Sequence, residues 1–314
     1  MNEQKNLLLA IVASLIILLI FQYLFPTERN VAQNEKQKLE YIEKEIDEEK
    51  VLTRDEIITN DKRIPFSDAS RLKGSISLKG ARFDDIILKD YKETIKPDSE
   101  KVTLLSPKNT NKPYFIEIGW MSQQNLDLPN KNSDWKIIEG NELGPDKPIT
   151  LQWNSTDDLT FIRKIKIDQN YLISVTQKII NKSNKELLLT QYGRINRTGT
   201  PKTSGFYILH EGPIAVLNDR LIEVDYDDLI EDGSTTSISK GGWIGITDKY
   251  WLAALIPDQK SRIEGGFKAI LSNVERYQAQ YTGGEMILER GEEITVKSNI
   301  FIGAKEVNLL DKYS

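Results

Sequence analysis

The chain has 314 residues, 39% of them hydrophobic and 28% charged, with a formal net charge of −5. That balance is globular, and it is too polar for a multi-span membrane protein. Mild acidity argues against nucleic acid as a partner, and the lack of cysteine removes disulfides, thiolate zinc sites and thiol nucleophiles.

The first feature is an apolar run at residues 7–25, broken only by Ser14, Gln22 and Tyr23. At about 1.5 Å per residue it spans close to 30 Å, the thickness of a hydrocarbon core. Tyr23 and Phe25 suit the membrane interface, and Pro26 stops the helix. The run exceeds a usual signal-peptide core and no small-residue cleavage site follows, so an uncleaved anchor over residues 1–26 is expected. Lys5 on one side and Arg29 on the other favour a cytoplasmic amino terminus, with the bulk of the chain across the membrane.

Residues 27–60 are dense in Glu and Lys. Leu39, Ile42 and Ile46 repeat at helical spacing, yet a spacer between anchor and domain is the expected role.

From about Arg63 the pattern turns to period two, as in residues 75–78 and 115–118, with turn signals roughly every ten residues. Residues 160–192 read as three antiparallel strands with turns at "DQN" and "NKSNKE". The window "GGWIGITDKYWLAALIPD" reads as a hairpin, with strands at 243–247 and 250–256 and Pro257 closing the second. That second strand is apolar on both faces and so belongs in the middle of a sheet, with Trp243, Tyr250 and Trp251 packing in the core. Helical periodicity is nearly absent, so residues 61–314 make an all-β sandwich or barrel.

Candidates for chemistry are few. His210 is the single histidine, which rules out any His-pair mechanism or multi-His metal site, and "YILHEGP" fits a structural histidine beside a turn. "EVDYDDLIEDG" offers Asp225 and Asp227 to a calcium ion, but the third template position falls on Leu229, so a polar strand end or loop is expected. Asp84–Asp85 and Asp157–Asp158 are adjacent carboxylates, which on a strand point to opposite faces. Arg194, Arg197 and Lys202 could hold an anion, but the phosphate-loop spacing is missing and a structured connection between strands is expected. Asn154, Asn181 and Asn196 open glycosylation-type triplets that matter only in a glycosylating host.

Three stretches carry a family resemblance: "GGWIGITDKYWLAALIPDQ", "RTGTPKTSGFYILHEGPIAVL" and "LKGARFDDIILKDYKETI". Together with "MNEQKNLLLAIVASLIILLIFQYLF" at the start and "FIGAKEVNLLDKYS" at the close, the chain resembles the YidC family of bacterial membrane protein insertases. The resemblance implies a β-supersandwich, galactose-mutarotase-like in shape, on the periplasmic side of the inner membrane and preceded by one transmembrane helix. It implies contact with the lipid bilayer, nascent membrane proteins and Sec translocon subunits. It implies no cofactor, no metal and no catalytic residue, and leaves the binding residues unknown. The family's insertion activity resides in a bundle of five transmembrane helices with an arginine in a hydrophilic groove. No second apolar run of spanning length follows Phe25, so that bundle is absent and the sequence is expected to be a piece of a longer protein or a shortened reading frame. A mutarotase-type mechanism calls for histidines with a carboxylate, so carbohydrate binding without catalysis is the alternative function.

Overall fold

The computed structural model describes residues 51–203 and 209–313. The expected anchor at 1–26 and most of the expected spacer lie outside the described residues. Among the described residues no helix is long and apolar enough to cross a membrane.

The compact unit starts at Val51, ahead of residue 61. Its first element is helix α1 (Arg54–Asn60), which the sequence reading had as the end of the spacer. Thr53 and Glu56 form a reciprocal capping box, with the Thr53 N–H donating to Glu56 Oε2 at 2.8 Å, and Ile57 is buried. Two orphan backbone donors are thereby satisfied, which lets so short a helix form.

Among the described residues, eighteen strands follow in chain order. The first five are β1 (Arg63–Pro65), β2 (Leu72–Ser77), β3 (Phe83–Lys92), β4 (Lys101–Leu105) and β5 (Tyr114–Met121). Next come β6 (Lys136–Glu139), β7 (Ile149–Asn154), β8 (Leu159–Ile167), β9 (Leu172–Asn181) and β10 (Leu187–Thr198). Then β11 (Gly212–Leu217), β12 (Arg220–Glu223), helix α2 (Tyr226–Asp232) and β13 (Ser234–Lys240). The last are β14 (Trp243–Thr247), β15 (Trp251–Ile256), β16 (Arg262–Ile270), β17 (Arg276–Leu288), β18 (Glu293–Ala304) and helix α3 (Val307–Tyr313).

They make two antiparallel sheets of nine strands each, the first ordered β1-β2-β3-β5-β10-β17-β16-β13 with β4 on β3, the second β12-β11-β14-β15-β18-β9-β8-β7-β6. Alternation sends one set of side chains from each sheet into the space between. Ile116, Ile195, Tyr277 and Phe267 come from the first sheet, and Phe161, Val175, Ile244 and Ile300 from the second, none above 2% exposed. Each such side chain contributes roughly 1.5–3 kcal/mol on leaving water, so this interior dominates the fold's stability.

Two expectations change here. β8 and β9 do form the expected hairpin, whose turn is held by Asp168 Oδ1 accepting from the Asn170 and Leu172 N–H groups at 2.7 and 3.1 Å. β10, however, crosses to the other sheet. Asn181, fully buried, fixes the crossing: its Nδ2 donates to the carbonyls of Lys185, Leu288 and Glu289 at 2.8, 3.2 and 3.0 Å. "EVDYDDLIEDG" is not a strand end or loop beyond Glu223 but helix α2, with Asp225 at its N-cap and Gly233 at φ 75° after its last turn.

The Trp-rich hairpin forms as expected, and β15 lies fourth of nine in its sheet with Leu252 to Leu255 all buried. Gly242 is required at its start: φ is +91°, and a Cβ would stand 2.2 Å from the Val216 carbonyl oxygen. Trp243 and Trp251 pack half-buried against the core, but Tyr250 is 57% exposed at the hairpin tip, where the chain turns and alternation no longer assigns it a side.

Candidate functional site

Asp84 and Asp85 take opposite faces of β3, and both are buried. Asp84 pairs with Arg63 and lies 3.7 Å from Arg82 Nε, and burial pushes its carboxyl up while the two guanidiniums pull it back. Asp85 accepts from Arg54 and, at 2.7 Å, from Ser75 Oγ, which ties α1 to the sheet. Both carboxylates are occupied in structural pairs. Asp157 and Asp158 are not on a strand: they sit in the turn joining β7 to β8, where Asp157 accepts the Asp127 N–H at 2.6 Å. His210 Nε2 lies 2.9 Å from the Pro213 carbonyl and Nδ1 lies 3.5 Å from Asp225.

Arg194 and Arg197 are strand residues of β10 rather than part of a connection, and only Lys202 lies in a loop. Arg197 turns to Asp248 at 2.7 Å and stacks 4.7 Å from the Tyr114 ring. Arg194 points the other way, into a polar lattice on the outer face of the first sheet.

Strand register builds that lattice. Glu117, Arg194 and Gln280 lie abreast on β5, β10 and β17; one row along, so do Phe115, Asn196 and Gln278; one row the other way, so do Gly119, Tyr192 and Thr282. Arg194 Nε donates to Gln280 Oε1 at 2.9 Å, Gln278 Nε2 to Asn196 Oδ1 at 3.0 Å, and Asn196 Nδ2 to Glu117 Oε2 at 3.4 Å. The Tyr192 ring lies over Gly119, where a Cβ would come within 2.9 Å of it, and Arg194 stands 5.7 Å from the ring centre. Burial, with the Glu117 carboxylate nearby, pushes the Tyr192 phenol up. Every polar member is half-buried, so the face is sheltered rather than fully solvated.

At the edge of the lattice the sheet opens, because β3 and β5 share a single pair, Phe83 with Ile116. Arg163 of β8 reaches this seam from the opposite sheet. Its Nη1 donates to the Ala81 carbonyl at 3.0 Å, and its Nη2 to the Ile118 carbonyl at 2.7 Å and to Gln177 Oε1 at 3.1 Å. Trp135 stacks 4.7 Å from the guanidinium. Arg163 is 1% exposed, and burial pulls its pKa down to about 10. Beside it a recess of about 10 Å³ is lined by Glu117, Asn130, Lys131, Trp135, Arg163 and Tyr192.

A second cluster fixes the chain after β18. Glu306 accepts from Arg71 Nη2 at 2.7 Å and from the Tyr91 hydroxyl at 2.8 Å, which lowers its pKa. Lys305 Nζ donates to Thr247 Oγ1 at 2.9 Å, Tyr313 donates to Asp168, and the Tyr313 ring meets Phe301 at 6.1 Å. Partners from both sheets thus hold α3 and the residues before it.

Sequence reasoning missed Glu117, Arg163, Tyr192, Gln278 and Gln280. For Arg163 a signal existed: in "FIRKI" it shares the inward parity of Phe161 and Ile165.

The family model described as the YidC periplasmic domain matches residues 67–314. The membrane protein insertase YidC of Rickettsia prowazekii is 41% identical over 99% of this chain, and that of Rickettsia bellii is likewise 41% identical over 99%. The chain spans 57% of the length of each of these relatives. In fold it is similar to a galactose mutarotase-like protein from Lactobacillus casei, with a TM-score of 0.50 and 10% identity over 77% of this chain and 100% of that one. A putative aldose 1-epimerase from Escherichia coli also scores 0.50, at 8% identity over 77% of this chain and 98% of that one. The two-sheet architecture is therefore a β-supersandwich of galactose-mutarotase-like shape, and the chain belongs to the YidC periplasmic domain family.

Proposed function

We propose that this chain is the anchor and periplasmic portion of an insertase that inserts and folds inner-membrane proteins, alone or alongside the Sec translocon. The carrying observation is the match of residues 67–314 to the YidC periplasmic domain, with 41% identity to a YidC insertase across 99% of the chain. Residues 1–26 anchor it in the inner membrane with the amino terminus in the cytoplasm, residues 27–50 form the tether, and the compact unit from Val51 onward, helix α1 included, stands in the periplasm. The role of this portion is interaction and positioning. Two features support that reading: the grip of Glu306, Lys305 and Tyr313 on both sheets, which gives the domain a fixed hold on the chain after β18, and the engagement of Asp84, Asp85 and Asp157 in structural bonds. The protein acts without covalent catalysis.

The test is depletion of the protein in its own cells while a newly made inner-membrane protein is followed by protease protection. Insertion is expected to fall and to return on re-expression; unimpaired insertion after full depletion contradicts the proposal.

A further inference from the structure

We infer that the outer face of the first sheet binds a neutral oligosaccharide, laid across β5, β10 and β17 with one hydroxyl in the recess beside Arg163. Two independent observations carry this. The first is the composition and state of the lattice. Its middle is built of carboxamides (Asn196, Gln278, Gln280) with one guanidinium and one carboxylate, Arg194 and Glu117, already held in plane by mutual hydrogen bonds. Carboxamides donate and accept side by side, and so do sugar hydroxyls, so pairs of neighbouring hydroxyls can be met without burying a net charge. Tyr192, whose ring lies against Gly119 with Arg194 5.7 Å from its centre, adds an aromatic edge for the apolar face of a sugar ring. The outer face of the second sheet differs in kind: there Lys164 and Lys178 form ion pairs with Glu139 and Glu293, the ordinary chemistry of a solvated surface.

The second observation is the recess. Its volume of about 10 Å³ admits one water-sized group, and the lining includes Arg163, 1% exposed, whose Nε lacks a hydrogen-bond partner among the described residues. A buried guanidinium beside a space of that size suits a hydroxyl oxygen as acceptor. The lattice extends about 14 Å along the strands and about 10 Å across three of them, which is a trough for a short chain of sugars rather than a pocket for one. Nothing in this inference depends on the insertase reading, so either can fail alone.

The test is calorimetric titration of the full chain, purified in a polyoxyethylene detergent that carries no sugar. The probes are four neutral trisaccharides (chitotriose, maltotriose, cellotriose and galactotriose) and an uncharged extended decapeptide. Saturable binding of at least one trisaccharide is expected, at about 1 mM or tighter. The Asn196→Ala, Gln278→Ala double variant is expected to weaken it about tenfold. Tyr192→Phe, which keeps the ring, is expected to weaken it less. Thermal unfolding of each variant is measured alongside, so that loss of fold is separated from loss of binding. No binding by any trisaccharide to about 10 mM overturns the inference. So does binding that the double variant leaves unchanged, or tighter binding of the peptide to the same residues.

Discussion

Asp84→Asn is expected to destabilise the protein by about 3–5 kcal/mol, because it leaves buried positive charge without its counter-charge. The side chains of Arg63 and Arg82 are only 5% and 8% exposed, and Asp84 lies against both. Asparagine keeps the shape and one acceptor oxygen, so the loss reports charge and not volume. Asp85 cannot substitute. It points to the other face of β3 and is already taken by Arg54 and Ser75. Asp85→Asn should cost less, about 1–3 kcal/mol, since Arg54 is 30% exposed and can turn to water. Urea unfolding followed by tryptophan fluorescence measures both. Equal losses for the two substitutions, or a loss under about 1 kcal/mol for Asp84→Asn, contradict this account of the pair.

Arg163→Ala should cost a similar amount, about 3–5 kcal/mol, for a different reason. The Arg163 bonds go to the Ala81 and Ile118 carbonyls and to Gln177, with no carboxylate within ion-pair distance among the described residues. Ala81 and Ile118 flank the seam where β3 and β5 barely pair, so removing the guanidinium takes away the donors it supplies to their carbonyls and opens a void under Trp135. Arg163→Lys should recover only part of the loss, because one ammonium cannot reproduce a planar fork between two carbonyls. The deficit should be insensitive to salt, since no ion pair is lost. Full rescue by lysine, or a deficit that shrinks as salt rises, contradicts the seam-closing role.

The period-two alternation after Arg63 made the fold class legible because strands with one face inward must alternate. Local hairpins were legible for the same reason, including β8 with β9 and β14 with β15. The crossing after Asn181 was not. A five-residue polar loop between two alternating strands looks like a hairpin, and what decides otherwise is the pairing of β10 with β5 and β17, set by residues far off in sequence. The candidate site was illegible for a related reason. Gln278 meets Asn196 across 82 positions and Asn196 meets Glu117 across 79, so no local window contains the lattice. Arg194 and Arg197 were misplaced because the Gly, Thr and Pro after them suggest a turn, while β10 runs on to Thr198. The helix in "EVDYDDLIEDG" was hidden by its length: seven residues give too few turns for a periodic signal.

The central claim, a β-supersandwich hung in the periplasm from an amino-terminal anchor, is tested most directly by cysteine labelling. These 314 residues contain no cysteine, so a single introduced one is the sole target among them. Asn2→Cys and Asp98→Cys variants are treated in spheroplasts with a membrane-impermeant maleimide, before and after lysis. The account predicts that Asp98→Cys, on an exposed turn, is labelled at once and Asn2→Cys only after lysis. Labelling of Asp98→Cys only after lysis would place the sandwich in the cytoplasm and contradict it.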